Sequence, residues 1–125
     1  MEWLEKKSIV IVQIESLEDI ENLEEIFSTK GVDAFMIGPY DLSASLGIPG
    51  DFNNLKFKKS IKKIMSMSIK YNLTAGIHSV SSSPDEVINK IKQGFNFISY
   101  SLDTIFLADS ALNGMQKIKD KIKNK

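Results

Sequence analysis

The 125-residue chain is long enough to form one domain with a sizeable buried core, which we expect to span residues 1–125. Its sixteen lysines balance sixteen acidic residues, so no net charge favours nucleic acid or anionic lipid as a partner. Cysteine is absent, which excludes disulfides and thiolate chemistry, and arginine is absent, which excludes bidentate guanidinium recognition of a carboxylate or phosphate. The first apolar run is too short for a signal sequence or a membrane span, so we expect a cytoplasmic protein without membrane contact.

The first part of the chain predicts the end of a helix followed by a strand and a second helix. Met1–Lys7 indicates that helix end, with one tryptophan and one leucine as its apolar contribution. Ser8–Ile14 is a run rich in β-branched residues, which predicts a strand that delivers Glu15 to its end. Ser16 is a typical helix cap, and the apolar residues after it recur at helical spacing. They predict one helix that ends near Lys30.

The next unit begins with a strand predicted over Asp33–Ile37, which leads into a Gly-Pro turn and then Asp41. Leu42–Leu46 indicates a short helical stretch. A long amphipathic helix is predicted from Leu55 to near Tyr71, with its lysines on the solvated face.

A third strand is predicted over Leu73–Ile77, ending at His78, and Gly76 within it suits a close backbone approach. Ser83–Glu86 has the pattern of a helix start: a serine cap, a proline at the first position and an acid at the third. Gly94 is a natural stop for that helix.

The fourth strand is predicted over Phe95–Tyr100, and a loop over Ser101–Thr104 leads to a final helix over Ile105–Lys123. Strands that alternate with helices predict an α/β fold with a parallel sheet covered by helices. Ligands of such folds bind at the carboxyl ends of the strands.

Two acids follow successive strands at that edge, which makes Glu15 and Asp41 candidate metal ligands. The alternative for Asp41 is a structural role, in which it begins a turn or caps Leu42–Leu46. Asp103 has the same two interpretations, since it either orients the last loop or caps the final helix.

Four motifs make the sequence familiar: VQIES at Val12–Ser16, GPYDLSASLG at Gly38–Gly47, then AGIHSVS and FISYSLDT. Together they resemble the HpcH/HpaI aldolase family, metal-dependent class II aldolases typified by 2,4-dihydroxyhept-2-ene-1,7-dioate aldolase. The resemblance implies a TIM (βα)8 barrel of about 250 residues. This chain is similar to its C-terminal half, four βα units that correspond to strands five to eight.

The resemblance also implies a chemistry and its residues. Glu15 and Asp41 would hold one divalent metal, Mg, Mn or Co, and leave positions open for a pyruvate-type substrate. The implied reaction is retro-aldol cleavage of a 2-keto-4-hydroxy acid to pyruvate and an aldehyde. The implied substrate-binding residues are Gly38, Pro39, Tyr40, Asp41 and His78. We interpret His78 as lining the pocket, because the family's catalytic base lies in the other half of the barrel.

This chain lacks two groups that family members use in catalysis. Family members use an arginine and a histidine-centred base from the N-terminal half, so we expect no aldolase activity from this chain alone. A complementary N-terminal half-barrel, or a longer reading frame, would supply them. The alternatives are a non-catalytic remnant that acts by self-association or binding, and a lyase of the citrate lyase β-subunit type. The latter acts on a coenzyme A thioester, for which no basic cradle is recognisable.

The predicted half-barrel has two open sheet edges, at Ile9–Ile14 and Phe97–Tyr100. Unpaired apolar edges favour pairing with another chain. We therefore expect a homodimer or a larger assembly, in which the partners cover each other's sheet edges or inner faces.

Overall fold

A computed structural model describes residues 8–123, so the predicted helix end at Met1–Lys7 lies outside it. The sheet has four strands: β1 (Ile11–Ile14), β2 (Ala34–Ile37), β3 (Thr74–Ser79) and β4 (Phe97–Tyr100). They are ordered β1-β2-β3-β4, and each neighbouring pair is parallel. The predicted α/β fold, with four parallel strands alternating with helices, is confirmed.

Six helices connect or follow these strands within residues 8–123. They are α1 (Leu17–Glu21), α2 (Leu23–Ser28), α3 (Pro39–Ser45), α4 (Leu55–Tyr71), α5 (Pro84–Lys92) and α6 (Asp103–Lys123). None of the helices in this range is both long and apolar enough to cross a membrane.

The helix predicted after β1 is correct in its start but wrong in its continuity. Ser16 caps α1 as expected, in a capping box with Asp19. The helix then breaks at Asn22, which ends α1 and begins α2 with φ −101° and ψ 13°. The Asn22 side-chain amide donates 3.0 Å to the carbonyl oxygen of Glu18. Such local side-chain bonds compete with a continuous helix, which accounts for the break.

One predicted helix start shifts, and one predicted cap residue makes no side-chain cap bond. Helix α3 starts at Pro39, not Leu42, because proline suits the first helical position and Gly38 precedes it as the N-cap residue. Asp41 therefore lies in the first turn of this helix. It does not sit in a loop, and it is not the cap residue of the helix. Before α5, Ser83 occupies the N-cap position but makes no side-chain cap bond. Its backbone carbonyl accepts from the Glu86 N–H instead, at 3.2 Å.

The two faces of the sheet differ sharply. The outer face, which we define as the one covered by α2 and α4, buries Ile14, Phe35, Ile37 and Ile77 at no more than 1% exposure. Phe35 stacks on a phenylalanine of α2 with a ring separation of 4.9 Å. Residues that alternate with these form the inner face, which the described part of the chain leaves uncovered.

The inner face carries both apolar and polar residues, and its two edge strands are open to solvent. Ile11 at one end is 43% exposed and Phe97 at the other is 38% exposed. Between them, a Cβ at Gly76 would lie 2.5 Å from the Phe35 carbonyl oxygen and 2.8 Å from Cδ1 of Phe97. The close approach predicted at Gly76 is therefore confirmed.

Candidate functional site

The strand register places four residues at one level of the inner face, at the carboxyl edge of the sheet. Ile14, Ile37 and Ile77 pair across β1 to β3, so the residues that follow them share the next level. His78 also pairs with Ser99 of β4. This level consists of Glu15, Gly38, His78 and Ser99.

A cavity of about 240 Å³, which we call the edge cavity, opens at this level. The five residues predicted to bind substrate all line it, namely Gly38, Pro39, Tyr40, Asp41 and His78. Gln13 and Ser99 line it as well. The fold thus brings together residues from all four strand ends, although they are separated by up to 86 positions in the sequence.

Glu15 lies beside this cavity, and its carboxylate accepts a 2.5 Å hydrogen bond from Nε2 of Gln13. A Cβ at Gly38 would be 3.2 Å from Oε2 of Glu15, so the glycine leaves room for the carboxylate. The Glu15 backbone N–H donates 2.9 Å to Asp19, the acid of the α1 capping box. The start of α1 therefore holds the backbone that carries Glu15.

Asp41 lies on the neighbouring segment, exposed in the first turn of α3, where a negative charge suits the helix dipole. Two hydrogen bonds join the Glu15 and Asp41 segments. Gly38 donates its N–H to the Ile14 carbonyl at 3.2 Å, and Leu17 donates its N–H to Oγ of Ser45 at 2.9 Å. These bonds fix how the two acid-bearing segments lie against each other.

The two serines of α3 make hydrogen bonds with backbone groups. Ser43 is fully buried; its hydroxyl donates 2.8 Å to the Tyr40 carbonyl and accepts 2.9 Å from the Gly50 N–H. Ser45 accepts the bond from Leu17 described above.

The donor set at this edge suits a hard divalent cation with few protein ligands. Across residues 8–123, no group of three or more His, Asp or Glu side chains could hold a metal ion. Mg²⁺ keeps several waters and commonly takes one or two carboxylates from a protein. Glu15 and Asp41 fit that requirement in number and kind, and the remaining positions would belong to water and substrate oxygens.

His78 is half-buried, and its Nε2 lies 3.4 Å from the carbonyl oxygen of Ser101. Ser101 is buried with φ +58°, a conformation that non-glycine residues rarely adopt. Its hydroxyl donates 2.9 Å to the Val80 carbonyl, which links the loops after β3 and β4. Ser101 and Gln13 both lie in the family motifs, but neither was assigned a role from the sequence. Gln13 could have been found, because it stands two residues before Glu15 and side chains two apart on a strand share a face.

A second cavity of about 490 Å³, which we call the flanking cavity, shares Pro39, Tyr40 and His78 with the edge cavity. Its wall beyond those residues includes Glu86 and Asp109. Oε1 of Glu86 accepts 3.0 Å from the Ser79 hydroxyl, and Asp109 accepts a short bond from the Ser82 hydroxyl.

Asp103 lies outside both sets of lining residues. It is the first residue of α6, and its carboxylate accepts 2.7 Å from the Thr104 N–H. This local bond supports a structural role for Asp103 at the helix start.

Residues 4–110 match the family model of the HpcH/HpaI aldolases and citrate lyases. The chain belongs to this family. It is 32% identical over 113 residues to a hydroxypyruvate/pyruvate aldolase of Paraburkholderia phytofirmans, a match that covers 87% of this chain and 41% of that protein. It is 33% identical over 103 residues to a 2-keto-3-deoxy-L-rhamnonate aldolase of Escherichia coli, covering 81% of this chain and 37% of that protein.

Solved structures of family members share the fold. An HpcH/HpaI aldolase/citrate lyase family protein from Burkholderia cenocepacia superposes with a TM-score of 0.85 at 26% identity, covering 91% of this chain and 44% of that one. An HpcH/HpaI aldolase from Desulfitobacterium hafniense gives 0.84 at 25% identity, covering 94% and 46%. The chain thus spans less than half the length of these relatives and matches about half of their barrel.

Proposed function

We propose that this chain is a single-domain C-terminal half-barrel of a metal-dependent class II aldolase, which cleaves a 2-keto-4-hydroxy acid to pyruvate and an aldehyde. One observation carries the proposal: the residues that the family motifs assign to substrate share one cavity, beside which Glu15 lies. The relatives described as pyruvate and keto-deoxy acid aldolases support the same substrate class. We also propose that the protein is cytoplasmic, as expected from its sequence.

In this proposal Glu15 and Asp41 hold the divalent ion, Mg, Mn or Co. Such an ion stabilises the negative charge that develops on the keto oxygen as the carbon–carbon bond breaks. Gln13 positions the Glu15 carboxylate through their hydrogen bond, and Gly38 leaves the space that carboxylate needs. The backbone N–H groups of Tyr40, Asp41 and His78 are the groups we assign to the substrate carboxylate.

The cleavage also needs a base that accepts the proton of the substrate 4-hydroxyl group. We assign His78 to lining the cavity, so this chain supplies no dedicated base, and without arginine it supplies no guanidinium for the substrate oxygens. The exposed inner face is where a complementary N-terminal half-barrel, or a second copy of this chain, would pack. We therefore propose that activity requires such a partner.

Metal binding is the first test. We expect Mn²⁺ titrated into the chain in a calorimeter to bind one site, and Glu15→Gln or Asp41→Asn to weaken binding by roughly tenfold or more, since even outer-shell partners of a metal cost about that much. Asp103→Asn is the matched control, because Asp103 also follows a strand but lies outside the edge cavity. Binding that Glu15→Gln and Asp41→Asn leave unchanged would contradict the assignment.

Complementation is the second arm of the same test. Mixed with an N-terminal half-barrel of a family aldolase, the chain should release pyruvate in a metal-dependent way, and the Asp41→Asn chain should not. A chain that associates with that half but binds no metal would instead be the non-catalytic remnant. The citrate lyase alternative is weaker, because a coenzyme A thioester would need a basic cradle. Lys90 is the one lysine among the residues that line the edge cavity or the flanking cavity.

A further inference from the structure

A third cavity lies on the outer side of the molecule, between α4 and α5, away from Glu15 and Asp41. We call it the helix groove; its volume is about 520 Å³, within the range of small-molecule sites. The groove exists because α5 packs loosely: none of its residues is buried, and Ile91 on it is 58% exposed.

The base and one wall of the groove are apolar. Phe57, Ile77 and Phe95 contribute buried side chains, each exposed by no more than 4%. Ile61 and Met65, which are one turn apart on α4, form the half-buried wall. Such a surface favours an aliphatic chain over a fully hydrated ion, because burying apolar area is the favourable term there.

The charge along the groove has a single sign. Lys58 and Lys62, one turn apart on α4, line it together with Lys90 of α5. No aspartate or glutamate lines it, and among residues 8–123 none of these three lysines forms an ion pair. Lysine stems lie along apolar surface while the ammonium groups reach solvent, so the cations border an apolar base.

The edge and flanking cavities do not have this pairing of features. The edge cavity is lined by Asp41 and no lysine, and the flanking cavity combines Lys90 with Glu86 and Asp109. The inner face, on which Ile11 and Phe97 are exposed, presents no lysine on β1 to β4. An apolar base with cations alone at its border therefore distinguishes the helix groove from the edge and flanking cavities.

We propose that the helix groove binds a free aliphatic monocarboxylate, with the chain against Ile61 and Met65 and the carboxylate among Lys58, Lys62 and Lys90. This site shares no lining residue with the edge cavity and needs no metal. An aliphatic monocarboxylate matches the apolar base of the groove because it is apolar over most of its length. It matches the lysines because it is negative at one end.

The test compares three eight-carbon probes that differ in the head group. Octanoate should bind more tightly than 1-octanol, and octylammonium more weakly than both, in calorimetric titrations of the full chain. Raising the salt concentration should weaken octanoate binding alone, because screening acts on the charged contact. Equal affinity for octanoate and 1-octanol would overturn the proposal.

A paired variant tests the lysines. Lys58→Gln with Lys62→Gln should lower octanoate affinity by roughly fivefold, as expected for two exposed charge contacts, and leave 1-octanol unchanged. The matched control is Lys119→Gln with Lys123→Gln, an exposed pair at the same spacing on α6. Both lysine pairs are exposed, so folding should be preserved, which circular dichroism checks. If the two double variants bind octanoate equally, the lysines of the groove do not hold the carboxylate.

The location is tested by amide chemical shifts in the labelled chain. Octanoate should shift the amides of Ile61, Met65 and Phe95 more than those of Ile11 and Gln13 on the inner face. Shifts confined to the inner face would show that the probe covers that apolar surface instead and would overturn the proposal. Because none of these readouts uses metal or aldol cleavage, failure here leaves the aldolase proposal intact, and the reverse also holds.

Discussion

The two faces of the four-stranded sheet have the same backbone but different environments. On the outer face Ile14, Ile37 and Ile77 pair across three strands and are 0–1% exposed under the helices. On the inner face Ile11 and Phe97 are 43% and 38% exposed. One face is packed as a protein interior, and the other exposes apolar side chains on both edge strands.

This difference is the basis for proposing that the chain acts with a partner. The outer core packs β1 to β3 against α2 and α4, whereas no residue of α5 or α6 is buried. The inner face carries Gln13, Glu15 and His78 at its carboxyl edge, so the proposed chemistry lies on the side that lacks cover. Exposed apolar patches of this kind commonly mark interaction sites.

The largest expected contrast is in stability. Ile37→Ala should lower the free energy of unfolding by about 2–5 kcal/mol, because it leaves a cavity in the outer core. Ile11→Ala removes the same atoms from the inner face and should cost under about 0.5 kcal/mol, as solvent already reaches the site. Urea unfolding at low protein concentration measures both. Equal costs would mean that the inner face is buried in solution, most simply by a second copy.

The next contrast is in self-association, which we propose occurs through the inner face. Ile11→Gln with Phe97→Gln should shift the chain toward monomer in sedimentation velocity at micromolar concentration. The control is Leu55→Gln with Ile69→Gln, two residues of α4 that are 73% and 79% exposed and so more accessible than the inner pair. If the control pair lowers self-association as much, nonspecific contacts between exposed apolar side chains, and not the inner face, drive the self-association. A wild-type chain that is strictly monomeric would also count against the proposal.

The sheet could be predicted from the sequence because its signals are local. A run rich in β-branched residues predicted β1, short apolar runs predicted the other strands, and alternation with helices predicted their parallel order. The strand ends were less predictable. Phe95 was assigned to β4, but its N–H donates 3.2 Å to the Lys90 carbonyl at the end of α5, so the strand starts at Phe97.

The site was predictable only in part. The family motifs identified Glu15 and Asp41, but not the flanking cavity or the helix groove, because both depend on how α4, α5 and α6 stand relative to the sheet. The break at Asn22 and the left-handed conformation of Ser101 coincide with local hydrogen bonds, which residue patterns do not report.

The smallest expected effect concerns one ion pair that joins the helices of the outer face. Lys70 of α4 lies 2.7 Å from Oε1 of Glu24 on α2, and the Tyr71 hydroxyl donates to the same oxygen at 2.9 Å. The hydrogen bond from Lys70 lowers the pKa of Glu24 below its ordinary 4.5, and the same bond raises the pKa of Lys70 above 10.5. Both side chains are more than half exposed, so solvent screens the pair and its contribution is small.

The signs of the two pKa shifts set the pH window of this contribution. A lowered carboxyl pKa stabilises the fold above pH 4.5, and that part is lost as the pH falls through the folded value. A raised lysine pKa stabilises it below pH 10.5, and that part is lost as the pH rises through the folded value. The stability difference between wild type and Lys70→Gln should therefore be constant between these two pH limits and should shrink beyond both of them and in 1 M salt. The control is Lys59→Gln, because Lys59 is exposed and forms no ion pair in the described chain. Its stability difference should show no such pH profile. A difference that stays constant below pH 4 would mean that the pair adds nothing and that the lost lysine stem accounts for the effect.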